Sequence, residues 1–359
     1  MMRWSWQLGR LAGIKVQMHW TFLILIAWVV LEHAGAGAGV GQIAVGVGLV
    51  LAVFGCVVLH ELGHALAARR YGIATRDITL LPIGGVARLE RMPEDPRQEL
   101  VVAAAGPAVN VAIAGLLYVL LSATGGLRPI AELTRVGGSF LPQLLWVNLF
   151  IVGFNLLPAF PMDGGRMLRA LLALRLPYRR ATRIAAKAGQ LMAVLFGFWG
   201  LTGGNPFLLF IALFVFLGAQ GEAQQVELRL AIEGVTVRDA MMTRFTALAD
   251  TSTLGEAAEE LLAGAQQDFP IVSGGRLVGV LSRADLVKHL KERGREVQIG
   301  PFVTGECQTA TEGEALEDAL ARMRETRCAT VPVVRDGTVV GLLTMENVSE
   351  LMMIGGSGE

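Results

Sequence analysis

Two histidines and a glutamate stand in a spacing that predicts a metal site. His60 and His64 are four residues apart, so on a helix both imidazoles face the same side and can bind one ion. Glu61 lies about a quarter turn aside, where a zinc-activated water would sit. The pattern H-E-x-x-H therefore predicts two zinc ligands and a general base.

The sequence around this motif is that of a membrane helix. Residues 43–59 are almost wholly apolar, and the motif follows them directly. Ionisable side chains in such a segment are costly and mark functional sites. The alternative, a chance match on a buried helix, would leave three polar groups in hydrocarbon without a partner.

A catalytic zinc ion usually takes three protein ligands and a water, so one ligand is missing. The best candidate is Asp163, the only acidic residue of the apolar stretch 140–172. Prolines and glycines on both sides of it predict a local break in the helix, which is tolerated where backbone lines a wet cavity. The alternative is that Asp163 only caps a helix that begins near Arg166.

Composition points to a membrane protein with a soluble second half. Of 359 residues, 53% are hydrophobic and 17% charged, which excludes a disordered or collagen-like chain. The formal net charge is zero, so nucleic acid is not expected as a partner. Charged residues are sparse before Glu222 and dense after it.

About six apolar stretches are long enough, or nearly so, to cross ~30 Å of hydrocarbon. The first resembles a signal peptide, but we interpret it as a retained helix because the rest of this half is built the same way. Basic residues crowd every second connection, which predicts a multi-pass protein of the cell membrane with its N-terminus and C-terminal half in the cytoplasm. The predicted spans are 20–31, 40–68, 100–122, 140–172, 185–201 and 206–221.

The second half contains an internal repeat without gaps. Residues 269–272 fall opposite 331–334, and residues 277–285 fall opposite 339–347. Each copy predicts a helix, a strand, a tight turn, a second strand and a second helix.

Two motifs of the first half together resemble the site-2 protease family of intramembrane zinc metalloproteases, peptidase M50. They are H-E-x-x-H at residues 60–64 and N-x-x-P-x-x-x-x-D-G at residues 155–164. The resemblance covers about residues 1–222 and implies one Zn²⁺ per chain. It implies zinc binding by His60, His64 and Asp163, base catalysis by Glu61, and contact of Asn155 with the substrate backbone or the developing oxyanion. By itself, Asn155 fits an interhelical hydrogen bond equally well.

Residues 78–86 form an apolar run that is too short to span a membrane and contains Gly84 and Gly85. This run resembles the membrane-embedded β-segment of the same family, whose edge would bind an unwound substrate by strand addition. The alternative is an ordinary loop that grazes the membrane.

The repeat resembles a tandem pair of CBS modules, named after cystathionine β-synthase. In that family a Ser/Thr-x-x-Asp motif holds the ribose of an adenine nucleotide (ATP, ADP or AMP). Ser282 and Asp285 keep this pattern, whereas Thr344 is followed by Asn347 in place of the aspartate. One nucleotide site is therefore expected. The alternative is a module without a ligand, either purely structural or serving to join two copies of the chain into a homodimer.

The predicted fold is an α-helical polytopic membrane domain (1–222), a linker (223–234), a soluble α/β tandem CBS domain (235–296 and 297–353) and a flexible tail (354–359). The predicted function is zinc-dependent cleavage of transmembrane segments of other proteins within the lipid bilayer, known as regulated intramembrane proteolysis, under nucleotide control. The alternative from another class is a transporter or channel with a regulatory CBS pair.

Overall fold

The computed structural model describes residues 5–82, 84–90, 93, 95–129, 139–303, 308–326 and 328–355. Ile83 of the expected β-segment and residues 356–359 of the expected tail lie outside these ranges. The chain divides into two compact units, Met1–Gln224 and Gln225–Glu359.

The first unit combines apolar helices with one small sheet. Helix α7 continues past the end of this unit into the second. In order, the elements are β1 (Ser5–Leu11), β2 (Ile14–His19), α1 (Phe22–Gly35), α2 (Val40–Arg69), β3 (Thr75–Leu81), β4 (Gly84–Leu89), α3 (Pro96–Ala123), α4 (Phe140–Asn155), α5 (Asp163–Ala173), α6 (Tyr178–Thr202) and α7 (Pro206–Ile232).

Four helices in the described part of the chain are long and apolar enough to cross a membrane. Helices α1 and α4 are apolar but shorter, so the expectation of six spans stays a prediction. The four long helices each extend beyond the corresponding span predicted from the sequence, because flanking residues at their ends are also helical. The four are Val40–Arg69, Pro96–Ala123, Tyr178–Thr202 and Pro206–Glu227.

The sheet has the strand order β1-β2-β3-β4, with β4 at one edge. Strands β3 and β4 form an antiparallel hairpin where the sequence left open a strand or a loop, so residues 78–81 and 84–86 are strand. The hairpin β1–β2 was not predicted. Its two-residue turn places Ala12 and Gly13 at φ values of 50° and 86°, as a type I′ turn requires. Strand β2 then pairs in parallel with β3, which ties the N-terminal hairpin to the predicted β-segment.

The predicted break in the fourth apolar stretch lies between α4 and α5. A Cβ on Gly164 would lie 2.3 Å from the carbonyl oxygen of Leu157, and one on Gly165 would lie 2.5 Å from the carbonyl carbon of Ala159. These glycines let the connecting loop fold tightly back onto the first turn of α5. The loop thereby fixes Asp163, the first residue of that helix.

The second unit confirms the predicted repeat. Both hairpins turn through a two-residue type I′ turn, at Gly274-Gly275 and Asp336-Gly337, with positive φ at all four positions. In order, the elements are α8 (Val237–Ala240), β5 (Leu248–Ala249), α9 (Leu254–Ala263), β6 (Phe269–Ser273), β7 (Arg276–Leu281), α10 (Arg283–Arg293), a 3₁₀ turn (Gly300–Phe302), α11 (Leu316–Thr326), β8 (Thr330–Arg335), β9 (Thr338–Thr344) and α12 (Met345–Gly355).

The two repeats exchange their leading segments. The Leu316 N–H donates to the carbonyl of Val235, and the Leu254 N–H donates to the carbonyl of Val297, each at 2.9 Å. The segment that enters α8 is buried in the core of the second repeat, and the segment that follows α10 is buried in the core of the first. Each hydrophobic core is therefore completed by residues from the other side of the sequence.

Candidate metal centre

Three ligand atoms from two distant parts of the chain meet in the helical unit. His60 Nε2 and His64 Nε2 lie 3.1 Å apart, and they lie 3.1 and 3.2 Å from Asp163 Oδ2. All three side chains are buried. Three donors in a tetrahedral zinc shell lie about 3.3 Å apart when each is about 2.0 Å from the ion. The triangle is close to that size.

The hydrogen bonds behind His60 fix which of its nitrogens carries the proton. Asn148 Nδ2 donates to the carbonyl of Leu144, so its Oδ1 is left to accept from Asn110 Nδ2. Asn110 Oδ1 then accepts from His60 Nδ1 at 2.5 Å. The backbone carbonyl at the start of this series of hydrogen bonds can only accept, so the direction of every bond in the series is determined. His60 Nε2 is consequently unprotonated in the neutral ring.

His64 is oriented in the same way by one bond. Its Nδ1 donates to the carbonyl of Val102 on α3 at 2.7 Å, which leaves Nε2 with a lone pair. Two imidazole lone pairs and a carboxylate oxygen thus converge within 3.2 Å. Such electron-rich atoms repel one another unless a cation lies among them, so the donor set fits Zn²⁺.

The wall opposite the ligands is a glycine backbone. A Cβ on Gly106 of α3 would lie 2.2 Å from His64 Nε2 and 2.6 Å from His60 Nε2. Close approach of α3 to α2 continues at Gly63, where a Cβ would lie 2.8 Å from the carbonyl oxygen of Ala105. The absence of a side chain at Gly106 therefore leaves room beside both ligand nitrogens.

Asp163 does not cap its helix. Met162 occupies the N-cap position of α5 and makes no side-chain capping bond, while the Asp163 carboxylate lies against the two histidines. The ligand interpretation of Asp163 is therefore the one that the geometry favours over the capping interpretation.

Glu61 lies between the two histidines in sequence and contacts the edge strand of the sheet. Its Oε2 accepts from the backbone N–H of Ala87 on β4 at 3.0 Å. A Cβ on Gly85 would lie 2.8 Å from Glu61 Cγ, so a side chain there would displace the carboxylate. Gly84, at the start of β4, has a φ of 142° and open space around it.

Asn155 is not part of the ligand cluster. It is the last residue of α4, and its Nδ2 donates to the carbonyl of Ile151 in its own helix at 3.0 Å. Its expected contact with substrate stays a prediction.

A small cavity opens beside the ligands. Two of its lining residues, Glu99 and Arg166, were not identified from the sequence. Its lining residues are Glu61, His64, Ala87, Leu89, Pro93, Glu99, Val102, Ala103 and Arg166.

The CBS candidate residues occupy equivalent helix starts. Ser282 Oγ donates to Asp285 Oδ2 at 2.6 Å and accepts from its N–H at 3.1 Å. Thr344 Oγ1 makes the same pair of contacts with Asn347, at 2.6 and 3.2 Å. The aspartate-to-asparagine difference therefore preserves the local turn and changes only the polar group presented there.

Known proteins resemble both units. Residues 48–139 and 128–196 match the family described as Peptidase family M50, and residues 237–292 and 299–354 match the CBS domain. A relative named zinc metalloprotease MJ0392, from Methanocaldococcus jannaschii, is 31% identical over 354 residues, which are 98% of this chain and 97% of the relative.

Two solved structures each resemble one part of the chain. The site-2 protease from Methanocaldococcus jannaschii is 36% identical, with a TM-score of 0.46, over 61% of this chain and 95% of that one. A structure described as CBSX2 in complex with AMP is 28% identical, with a TM-score of 0.31, over 34% of this chain and 98% of that one.

Proposed function

Because this chain belongs to peptidase family M50 and carries a CBS pair, we propose that it is an intramembrane zinc endopeptidase that cleaves transmembrane segments of other proteins. One observation supports this most directly. Two histidines of an apolar helix and an aspartate about 100 residues later converge within 3.2 Å, with a glutamate beside them. A transporter or channel, the alternative that the sequence left open, has no need for a third ligand at this place and is not favoured by the family.

Each residue of the site has a separate role in the proposed peptide hydrolysis. His60, His64 and Asp163 would hold the ion. Zinc bound there would polarise the scissile carbonyl and lower the pKa of water towards about 7. Glu61 takes the proton of the attacking water and delivers it to the leaving nitrogen. Asn155, if its side chain turns from Ile151, would donate to the substrate backbone or the developing oxyanion.

Strand β4 is the proposed substrate-binding edge. It lies at the end of the sheet order, and Glu61 bonds to its Ala87 N–H, which places the base next to any peptide added there. A transmembrane helix satisfies its own backbone hydrogen bonds, so it must unwind before hydrolysis. Strand addition along β4 would supply new partners for the freed groups.

The test is cleavage of a reconstituted membrane substrate by the wild type and by Glu61→Gln. We expect product formation to fall by at least about 1,000-fold while zinc content stays near one ion per chain, because Glu61 is not a ligand. The Asp163→Ala variant should lose both its bound zinc and its product formation. Equal product from the wild type and Glu61→Gln would remove the protease assignment. Substrates that co-purify with the Glu61→Gln variant would then be candidates for natural targets.

We also propose that the chain spans the membrane several times, with its N-terminus and CBS pair in the cytoplasm. The proposal is supported by the alternation of basic connections. The test introduces single cysteines into a variant whose native cysteines are replaced by alanine, and labels them from either side of the membrane. Labelling of a cysteine in the CBS pair only from the outside would contradict it.

Nucleotide control is the proposed role of the CBS pair, with Ser282 and Asp285 as the ribose contacts. The proposal is supported by the motif of the first repeat and by its equivalent position to Thr344 and Asn347. Titration with ATP, ADP and AMP should show one site per chain, which Asp285→Ala removes and Asn347→Ala leaves. Proteolysis that is insensitive to all three nucleotides would contradict control of the protease.

A further inference from the structure

The cavity beside Glu61 contains a second buried carboxylate. Glu99, on the first turns of α3, is 2% exposed and lines this cavity together with His64 and Arg166. Nothing in the proposed mechanism uses it, although burying a carboxylate is costly without compensation.

One oxygen of Glu99 is anchored and the other is free. Arg169 Nε donates to Glu99 Oε1 at 2.8 Å and Nη2 donates to the same oxygen, while Nη1 donates to Glu222 Oε1 at 2.9 Å. Among the residues that the structure describes, Glu99 Oε2 has no hydrogen-bond partner. The guanidinium therefore fixes the carboxylate and leaves one acceptor atom unsatisfied.

A donor in the same cavity is also unsatisfied. Within the described part of the chain, Arg166 Nε is buried and has no partner. Arg166 lies three residues after Asp163 on α5, and Glu99 lies three residues before Val102, whose carbonyl binds His64. Three residues are about 4.5 Å of helix, so Arg166 stands about one turn from the ligand Asp163, and Glu99 stands about one turn from the residue that orients His64.

A substrate strand needs partners on two sides. If a peptide adds to β4, alternate backbone groups face β4 and the others face the opposite wall. Ala87 and Leu89 of β4 line the same cavity as Glu99 and Arg166. An acceptor and a donor therefore stand in the cavity that this strand would enter, where unpaired backbone groups would be expensive.

We infer that Glu99 Oε2 and Arg166 Nε bind the main chain of the substrate next to the scissile bond, one accepting from an N–H and the other donating to a carbonyl. The inference rests on the proposed function. It assigns two substrate-binding residues to helices α3 and α5, in the cavity that strand β4 also lines.

Glu99→Gln tests this assignment. Arg169 requires an oxygen at the Oε1 position, so the amide nitrogen takes the Oε2 position and replaces an acceptor by a donor. We expect kcat/KM for a transmembrane peptide to fall about 10- to 100-fold, with zinc content unchanged. The matched control is Glu222→Gln, which removes the negative charge of the other partner of Arg169 and leaves Glu99 Oε2 in place. Its kcat/KM should stay within about twofold of the wild type.

A series of substrates in which an ester oxygen replaces one backbone N–H at a time identifies the bonded group. One such replacement should lower kcat/KM for the wild type. The same replacement should not lower kcat/KM for Glu99→Gln below its value with the unmodified substrate. Equal effects on both enzymes at every position would overturn the inference, as would equal losses in Glu99→Gln and Glu222→Gln. If Glu99→Gln does not fold, Arg166→Lys removes the Nε donor while keeping the charge, and unchanged kcat/KM there would equally overturn it.

The two proposals fail in different ways. Cleavage that does not depend on Glu61 removes the protease assignment and this inference with it. Glu61-dependent cleavage with full activity in Glu99→Gln removes only the inference.

Discussion

Gly106→Ala should abolish metal binding without unfolding the protein. The added Cβ would stand 2.2 Å from His64 Nε2 and 2.6 Å from His60 Nε2. A zinc–nitrogen bond is about 2.0–2.1 Å long, so this carbon would crowd both ring nitrogens on the side where they would bind an ion.

The size of the effect follows from these distances. The new carbon would be about 1 Å closer to the ring nitrogens than van der Waals contact allows. Overpacking of this kind costs about 1–3 kcal/mol of folding stability, which is less than the roughly 5–15 kcal/mol that typically separates folded from unfolded protein. Displacement of the ligands removes the metal site itself. We therefore expect less than about 0.1 zinc per chain, against about one in the wild type.

Metal analysis of protein purified in detergent, together with a thermal unfolding curve and the cleavage assay, measures the three consequences. Gly115→Ala is the matched control, because Gly115 lies on the same helix α3 and a Cβ there meets nothing within 4 Å. That variant should keep its zinc and be stabilised by about 0.5–1 kcal/mol. Normal zinc content and activity in Gly106→Ala would refute the ligand geometry described above.

Three further variants separate the roles of the surrounding residues. Asn110→Leu should weaken zinc binding about 10- to 100-fold in a competition titration with a chelator, because His60 loses the acceptor that orients its ring; unchanged affinity would show that the ring needs no such support. Gly85→Ala should lower kcat about tenfold or more with normal zinc content, since the new methyl group displaces Glu61; a normal kcat would mean that the carboxylate moves freely. Arg169→Met should destabilise the fold by about 3–5 kcal/mol in thermal unfolding, because it leaves the buried Glu99 carboxylate without its cation and also removes the partner of the partly exposed Glu222, and an unchanged melting temperature would contradict the ion-pair description.

Much of the ligand set is predictable from the sequence because its parts are local or chemically scarce. The i, i+4 spacing places His60 and His64 on one face, and zinc chemistry then asks for a third ligand. Asp163 is the only acid in its apolar stretch, so scarcity rather than spacing identifies it. The structure brings these three together at 3.1–3.2 Å.

The supporting residues were not predictable in the same way. Asn110 and Asn148 are polar residues in apolar helices, and this is a signal for a functional role. Their partners lie 50 and 38 residues away, however, and no local pattern encodes such contacts. The sequence also gives no sign that the backbone of Gly106 lies against the two histidine rings, because this contact joins two separate helices. The N-terminal hairpin was missed because its basic residues were interpreted as loop charges.

The exchange of leading segments between the two repeats has a practical consequence for dissecting this protein. A fragment that ended at Glu296 would keep Val235 but lose Leu316, whose N–H donates to the Val235 carbonyl. It would also lack Val297, which packs against the core of the first repeat. Neither copy is therefore a self-sufficient folding unit, and deletion of one should melt the other. Binding studies on the CBS pair must therefore use both copies in one polypeptide. A ligand that stabilises one copy should also raise the free energy of unfolding of the other.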